Sequence, residues 1–191
     1  MTGPHPTTRR PRRSDPDRRA RILTSALDVV AEVGVAGVSH RRVATAADIP
    51  LGSMTYHFIG MDALLEEAFT AFADSVATRF EARLAPARTI AEARSAVVAF
   101  IAEDVFADPR ELVLTQELYT LAARRPDFRR ITTAWMSRSR AALERHFDPE
   151  TARILDALLE GLTLHRALDN QPRSTEEILT TVLRITTPEQ A

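Results

Sequence analysis

The feature that most constrains this chain is a helical apolar period that runs almost without interruption and is punctuated by clear helix starts. Asp-Pro occurs at Asp15-Pro16, Asp108-Pro109 and Asp148-Pro149, pairing an N-cap residue with a proline suited to the first helical position. Capping-box spacing occurs at Thr89/Glu92 and Ser174/Glu177, where each side chain can satisfy the other's free backbone N–H. Between these marks apolar residues recur every three or four positions, as in Ile22, Ala26, Val29, Val30 and Val33, or Leu65, Ala68, Phe72, Val76 and Phe80. No segment shows the two-residue period of a convincing strand. The reading is an all-α fold of about nine helices over 16–33, 39–47, 50–57, 60–85, 89–106, 109–124, 127–146, 149–169 and 174–185. Gly34 is placed to end the first helix and Pro86 to end the fourth. The long fourth helix is then shared by a small N-terminal bundle and a larger C-terminal one, with a boundary near Pro86.

Composition excludes several chemistries. The 191 residues contain no cysteine, which removes disulfides, thiolate nucleophiles and Cys-based metal sites. All 25 basic residues are arginine, which removes Schiff-base and phosphate-loop lysines. The five histidines form no His-Glu-x-x-His pattern, and no Gly-x-Ser-x-Gly turn is present. No catalytic residue, cofactor or metal is therefore expected. Charge is uneven: residues 1–60 carry +4 and residues 61–191 carry −5. A basic front suits contact with a polyanion. Residues 1–14, with Arg9, Arg10, Arg12 and Arg13 among three prolines, read as a disordered basic arm. The longest apolar run, Ala96 to Ala102, is too short to span a bilayer, and the expectation is a soluble, cytoplasmic protein.

The segment from Ser39 to Phe58, SHRRVATAADIPLGSMTYHF, places two short helices around a tight turn. Small Ala44 permits a close crossing, and Ile49 and Met54 fill the space beneath. This is the pattern of a helix-turn-helix. Its second helix offers Gly52, Ser53 and Thr55 outward. Gly52 and Ser53 allow a close approach to a groove floor, and Thr55 can bond a base edge or touch a thymine methyl. Ser39 can cap the first helix, which also carries Thr45. Arg41, Arg42, Tyr56 and His57 fall where phosphates would run.

These residues resemble the TetR (tetracycline-repressor-like) family of transcriptional regulators over about Asp17 to Phe80. The likeness rests on EVGVAGVSHRRVATAADI, on Gly52-Ser53 followed by Tyr56-His57-Phe58, and on Leu64-Leu65. Three positions depart from the usual pattern. Asp48 replaces a turn glycine, Leu51 replaces a polar groove residue, and Met61 replaces a phosphate-seating lysine at the start of the long helix. The resemblance implies a helix-turn-helix DNA-binding domain over 15–60, extending into the fourth helix to about 80. It implies an effector-binding and dimerisation domain over 86–191. It also implies a homodimer on a near-palindromic double-stranded operator, acting as a repressor and released by a small-molecule effector.

Two C-terminal helices are apolar on more than one side. Ile154, Leu155, Leu158 and Leu162 on one, with Ile178, Val182 and Ile185 on the other, are assigned to a four-helix dimer interface. A ligand cavity is assigned to Phe100, Asp104, Gln116, Tyr119, Trp135, Met136 and His165, bulky or polar residues on otherwise apolar helices. Taken singly, each also fits ordinary packing. The competing functional readings are a helical ligand-binding protein without a DNA role, and an enzyme.

Overall fold

The computed structural model describes residues 17–104 and 108–187. Among them the chain forms α1 (Arg18–Val33), a 3₁₀ turn (Val35–Gly37), α2 (His40–Ala46), α3 (Leu51–His57) and α4 (Gly60–Leu84). There follow α5 (Ile90–Ala99), a π-helical turn (Phe100–Asp104), α6 (Pro109–Arg124), α7 (Pro126–Leu143), α8 (Pro149–Leu168) and α9 (Thr175–Thr186). The described residues contain no strand. The basic arm and the Asp15-Pro16 cap lie outside them.

Local chemistry explains most of the boundaries. Asp108 and Asp148 accept backbone N–H bonds at the starts of α6 and α8, each with proline in the first turn. Thr89/Glu92 and Ser174/Glu177 form full capping boxes on α5 and α9. α1 instead begins at Arg18 after Asp17, whose side chain makes no capping bond. The helix expected over 89–106 changes to π geometry at Phe100, which turns that ring onto Phe80 at 4.8 Å between centroids. Such an extra residue within a helix often accompanies a functional site.

One apolar core runs from Ile22 on α1 through α4 to Val182 on α9. α4 is its spine: Leu65, Ala68, Phe69, Phe72, Val76 and Phe80 are all buried. Phe69 meets Phe128 of α7 edge to face at 6.1 Å. Arginine forks tie the same helix to its neighbours. Arg79 donates to both Glu111 oxygens of α6 at 2.7 and 2.8 Å. Arg83 holds Asp104 through two bonds of 2.7 Å. Arg138 of α7 reaches Glu81, Asp74 and Thr78. A planar guanidinium suits this bidentate work. The exposed pairs add little stability individually, and their effect here is on orientation.

Candidate functional site

Two arrangements can carry function, and α4 and α6 join them. The first is the α2–α3 pair. Ser39 caps α2 by accepting from the Arg42 N–H at 3.3 Å. Asp48 turns the chain at φ 52°, a left-handed conformation that aspartate tolerates better than most side chains. Val43, Ala44, Ala47 and Met54 are buried in the core, with α2 packed on α1, so the pair has a defined inner face. Its outer face carries Leu51, half exposed, Gly52, exposed, and Tyr56, 86% exposed. A methyl group at Gly52 would meet no atom within 4 Å. Ser53 and His57 are half-buried beside them, and Arg41 and Thr45 are exposed on α2. Arg42 is exposed but donates to the Gly37 carbonyl at 3.1 Å. Thr55 lies on α3, but its side chain is outside the described residues.

Two anchors of this pair were missed by sequence reasoning. Arg19 of α1 forks onto Glu67 of α4, donates to the His57 carbonyl at 3.0 Å and lies 4.7 Å above the Phe58 ring. It pins the C-terminal end of α3 to α1 and α4 together. Glu117 of α6 accepts from the Val35 N–H at 3.2 Å. Gly34 sits at φ 68°, which disfavours any side chain, and a Cβ there would lie 2.9 Å from the Glu117 carboxylate and displace it. The junction ahead of α2 is thus seated directly on α6. Arg110 of α6 also pairs with Asp28 of α1 at 2.7 Å.

The second arrangement is a partly open cavity of about 50 Å³ between α4, α6, α7, α8 and the π turn. Stripes at helical spacing build it: Phe72, Val76 and Phe80 on α4, Glu111, Thr115 and Tyr119 on α6, and Asp156, Glu160 and Thr163 on α8. Phe100 of the π turn and Trp135, Met136 and Ser139 of α7 complete the wall. Tyr119 and Trp135 lie almost parallel, 15° apart with centroids at 6.3 Å, and Phe72 meets Trp135 edge-on at 6.0 Å.

Three carboxylates line this aromatic box, in unequal states. Glu111 is forked by Arg79, and Asp156 accepts from Arg140 at 2.9 Å. Glu160 has no cationic partner among the described residues. Burial pushes its pKa up, an interaction with the Tyr119 hydroxyl opposes this, and the Asp156 charge adds to the rise. Burial, followed by the facing Glu160, likewise raises Tyr119 and keeps its hydroxyl protonated. The Thr115 hydroxyl, on a residue only 2% exposed, has no hydrogen-bond partner.

Of the seven residues assigned to a cavity from sequence, Phe100, Tyr119, Trp135 and Met136 line it. Asp104 does not, because Arg83 clamps it outside. Gln116 sits on the opposite face of α6 beside Glu117 and Leu168. His165 is on the exposed side of α8. The interface assignment divides in the same way. Leu155, Ile178 and Val182 are fully buried in the chain's own core and Leu162 nearly so, which corrects their placement on an outer face. Leu158 and Ile185 are half-buried, and Ile154 remains 46% exposed. The outward apolar residues are Ile154 and Leu168 on α8, with Leu179 and Leu183 on α9. Among the described residues, no helix is long and apolar enough to cross a membrane and no acidic or histidine group could hold a metal ion.

Comparison with known proteins agrees with this geometry. Residues 22–68 match the bacterial regulatory proteins of the tetR family, and residues 88–187 match the tetracyclin repressor-like C-terminal domain. A protein of Streptomyces coelicolor A3(2) assigned as a transcriptional regulator is 55% identical, with a TM-score of 0.85 over 91% of this chain and 100% of its own. The multidrug-binding protein EbrR in its imidazole complex is 36% identical, with a TM-score of 0.78 over 93% of this chain and 98% of its own. Its ethidium complex gives 36% and 0.76, over 90% and 99%. No curated protein matches the chain significantly. With its helix-turn-helix and helical C-terminal bundle both matched, the chain belongs to the TetR family of transcriptional regulators.

Proposed function

We propose that this regulator is a repressor that binds a near-palindromic operator as a homodimer and lets go when a small molecule occupies the cavity. The observation that carries this reading is the position of α6. One face of that helix lines the cavity through Glu111, Thr115 and Tyr119. Elsewhere it holds the α1–α2 junction through Glu117 and α1 through Arg110. A ligand that moves α6 must move or release the helix-turn-helix as well, which is the physical content of coupling between two sites.

The size of the cavity supports the same reading. Sites for drug-sized ligands run to roughly 300–1,000 Å³, whereas this one holds about 50 Å³. A drug-sized molecule therefore requires the wall to move, and α4, α6, α7 and α8 carry that wall. The energy of filling the cavity is thereby spent in part on shifting the helices that carry α2 and α3. EbrR has been seen with proflavin and malachite green as well as ethidium, and those complexes motivate dyes as probes.

For DNA contact, the reading assigns Gly52, Ser53, Thr55 and Leu51 to the groove. Ser39, Arg41, Arg42, Thr45, Tyr56 and His57 are assigned to the phosphates. The stripe of Ile154, Leu158 and Leu168 on α8, with Leu179 and Leu183 on α9, is assigned to the two-fold interface. The test is a labelled operator duplex bound by the protein at fixed salt and titrated with proflavin. To separate release from dye intercalating into DNA, the same titration uses a variant with Trp135→Ala and Tyr119→Phe, and a dye-matched control duplex. Release by the unaltered protein at a dye concentration that leaves the variant bound is expected. Equal release from both would remove the cavity from the account.

A further inference from the structure

We infer that the cavity selects flat aromatic molecules carrying a single positive charge, and that Glu160 is the residue that reads this charge. The inference rests on the cavity being the effector site proposed above, and it adds what kind of molecule that site takes.

The walls supply the flat part. Tyr119 and Trp135 present nearly parallel faces, and Phe72, Phe80 and Phe100 close the remaining sides. Aromatic faces carry negative electrostatic potential and favour a cation laid against them. The carboxylates supply the charge rule. Arg79 neutralises Glu111 and Arg140 neutralises Asp156, and neither arginine lines the cavity. That leaves Glu160 as the one cavity carboxylate without a cationic partner among the described residues, so one positive charge is answered and a second is not. An anionic ligand would meet Glu160, and no arginine lines the cavity among the described residues to offset it. Thr115 gives independent evidence that the cavity expects a polar guest. Its hydroxyl is buried, lines the space and lacks a partner, a state that a native core seldom tolerates. A ring nitrogen or amino substituent would satisfy it.

The same geometry couples binding to protons. Glu160 faces Tyr119 from α6 and Asp156 from its own helix. The other charged groups at the cavity are the Arg140–Asp156 and Arg79–Glu111 pairs. Burial raises the Glu160 pKa, so at acidic pH its carboxyl is neutral and offers a cation little. As pH climbs through that raised value the carboxylate forms and cation affinity rises, then levels off.

The experiment measures binding to the full-length protein without DNA, by calorimetry or fluorescence. It uses 10-methylacridinium, permanently charged, and acridine, the neutral three-ring counterpart at pH 8. The protein is expected to favour 10-methylacridinium by about tenfold or more. Glu160→Gln should erase that preference, bringing the affinities for 10-methylacridinium and acridine together. Affinity for 10-methylacridinium should rise with pH as the Glu160 carboxylate forms in the unaltered protein and stay flat in Glu160→Gln. If the variant does not fold, the unaltered protein's pH profile decides alone, a flat profile overturning the inference. Equal affinity for the two probes, binding of neither, or a preference that survives Glu160→Gln also overturns it. Those outcomes leave operator release by some other molecule standing. Cation binding without operator release would sink the effector reading and leave this charge rule intact.

Discussion

A protein carrying Leu179→Glu and Leu183→Glu should fold normally, sediment as a single chain and bind its operator about 10²–10⁴-fold more weakly. Both leucines are 37% exposed on α9, and the core side of that helix is held by Ile178 and Val182. Replacing them therefore opens no cavity within the protomer. In the proposed dimer the two-fold axis sets copies of these positions near one another, so glutamates bring like charges into an apolar contact. Binding to the operator then loses the advantage of two linked half-site contacts. Sedimentation and a gel-shift titration on one sample check both parts. A variant that remains dimeric would move the interface elsewhere, and a monomer that binds as tightly as the parent would remove the two-fold reading.

Gly52→Leu should leave the melting temperature unchanged or slightly raised and weaken operator binding by about a hundredfold, near 3 kcal/mol. The stability half follows from the open space around Gly52 and from leucine's better helix propensity in α3. The binding half follows from the assignment of Gly52 to the closest approach between α3 and the groove floor. A branched side chain there holds the helix away and loosens every base contact on that half-site at once. Opposite signs for stability and binding separate a DNA contact from a structural role. Undiminished binding by this variant would show that α3 does not enter the groove along this face.

The boundaries that were legible in the sequence are those set by local chemistry. Asp108, Asp148, Thr89 with Glu92, and Ser174 with Glu177 each act within one helical turn, so the sequence alone locates them. The inward turn of Met54 was legible from the spacing of the helix-turn-helix, and the turn at Asp48 from the family's glycine at that position. The π turn was not. It serves a contact between Phe100 and Phe80, twenty positions apart, and nothing beside Phe100 announces it.

Which side of α8 faces inward was not legible either, because Ile154, Leu155, Leu158, Leu159 and Leu162 make it apolar nearly all round. Only the packing of α7, α9 and the π turn against α8 distinguishes buried Leu155 from exposed Ile154. Asp104 was mistaken for a cavity residue because its partner, Arg83, lies on another helix. Glu111, Thr115, Asp156 and Glu160 were overlooked because polar residues on helices are usually solvated. Their spacing carried a sign that went unused: Glu111, Thr115 and Tyr119 share one stripe of α6, and Asp156, Glu160 and Thr163 share one stripe of α8.

The most direct measurement of the central claim is selection of duplexes from a random-sequence library by the purified protein at moderate ionic strength. Enriched sites should have near two-fold symmetry, with half-site centres about one duplex turn apart, roughly 34–36 Å. Recovery of no preferred sequence, or of a motif without two-fold symmetry, would contradict that claim.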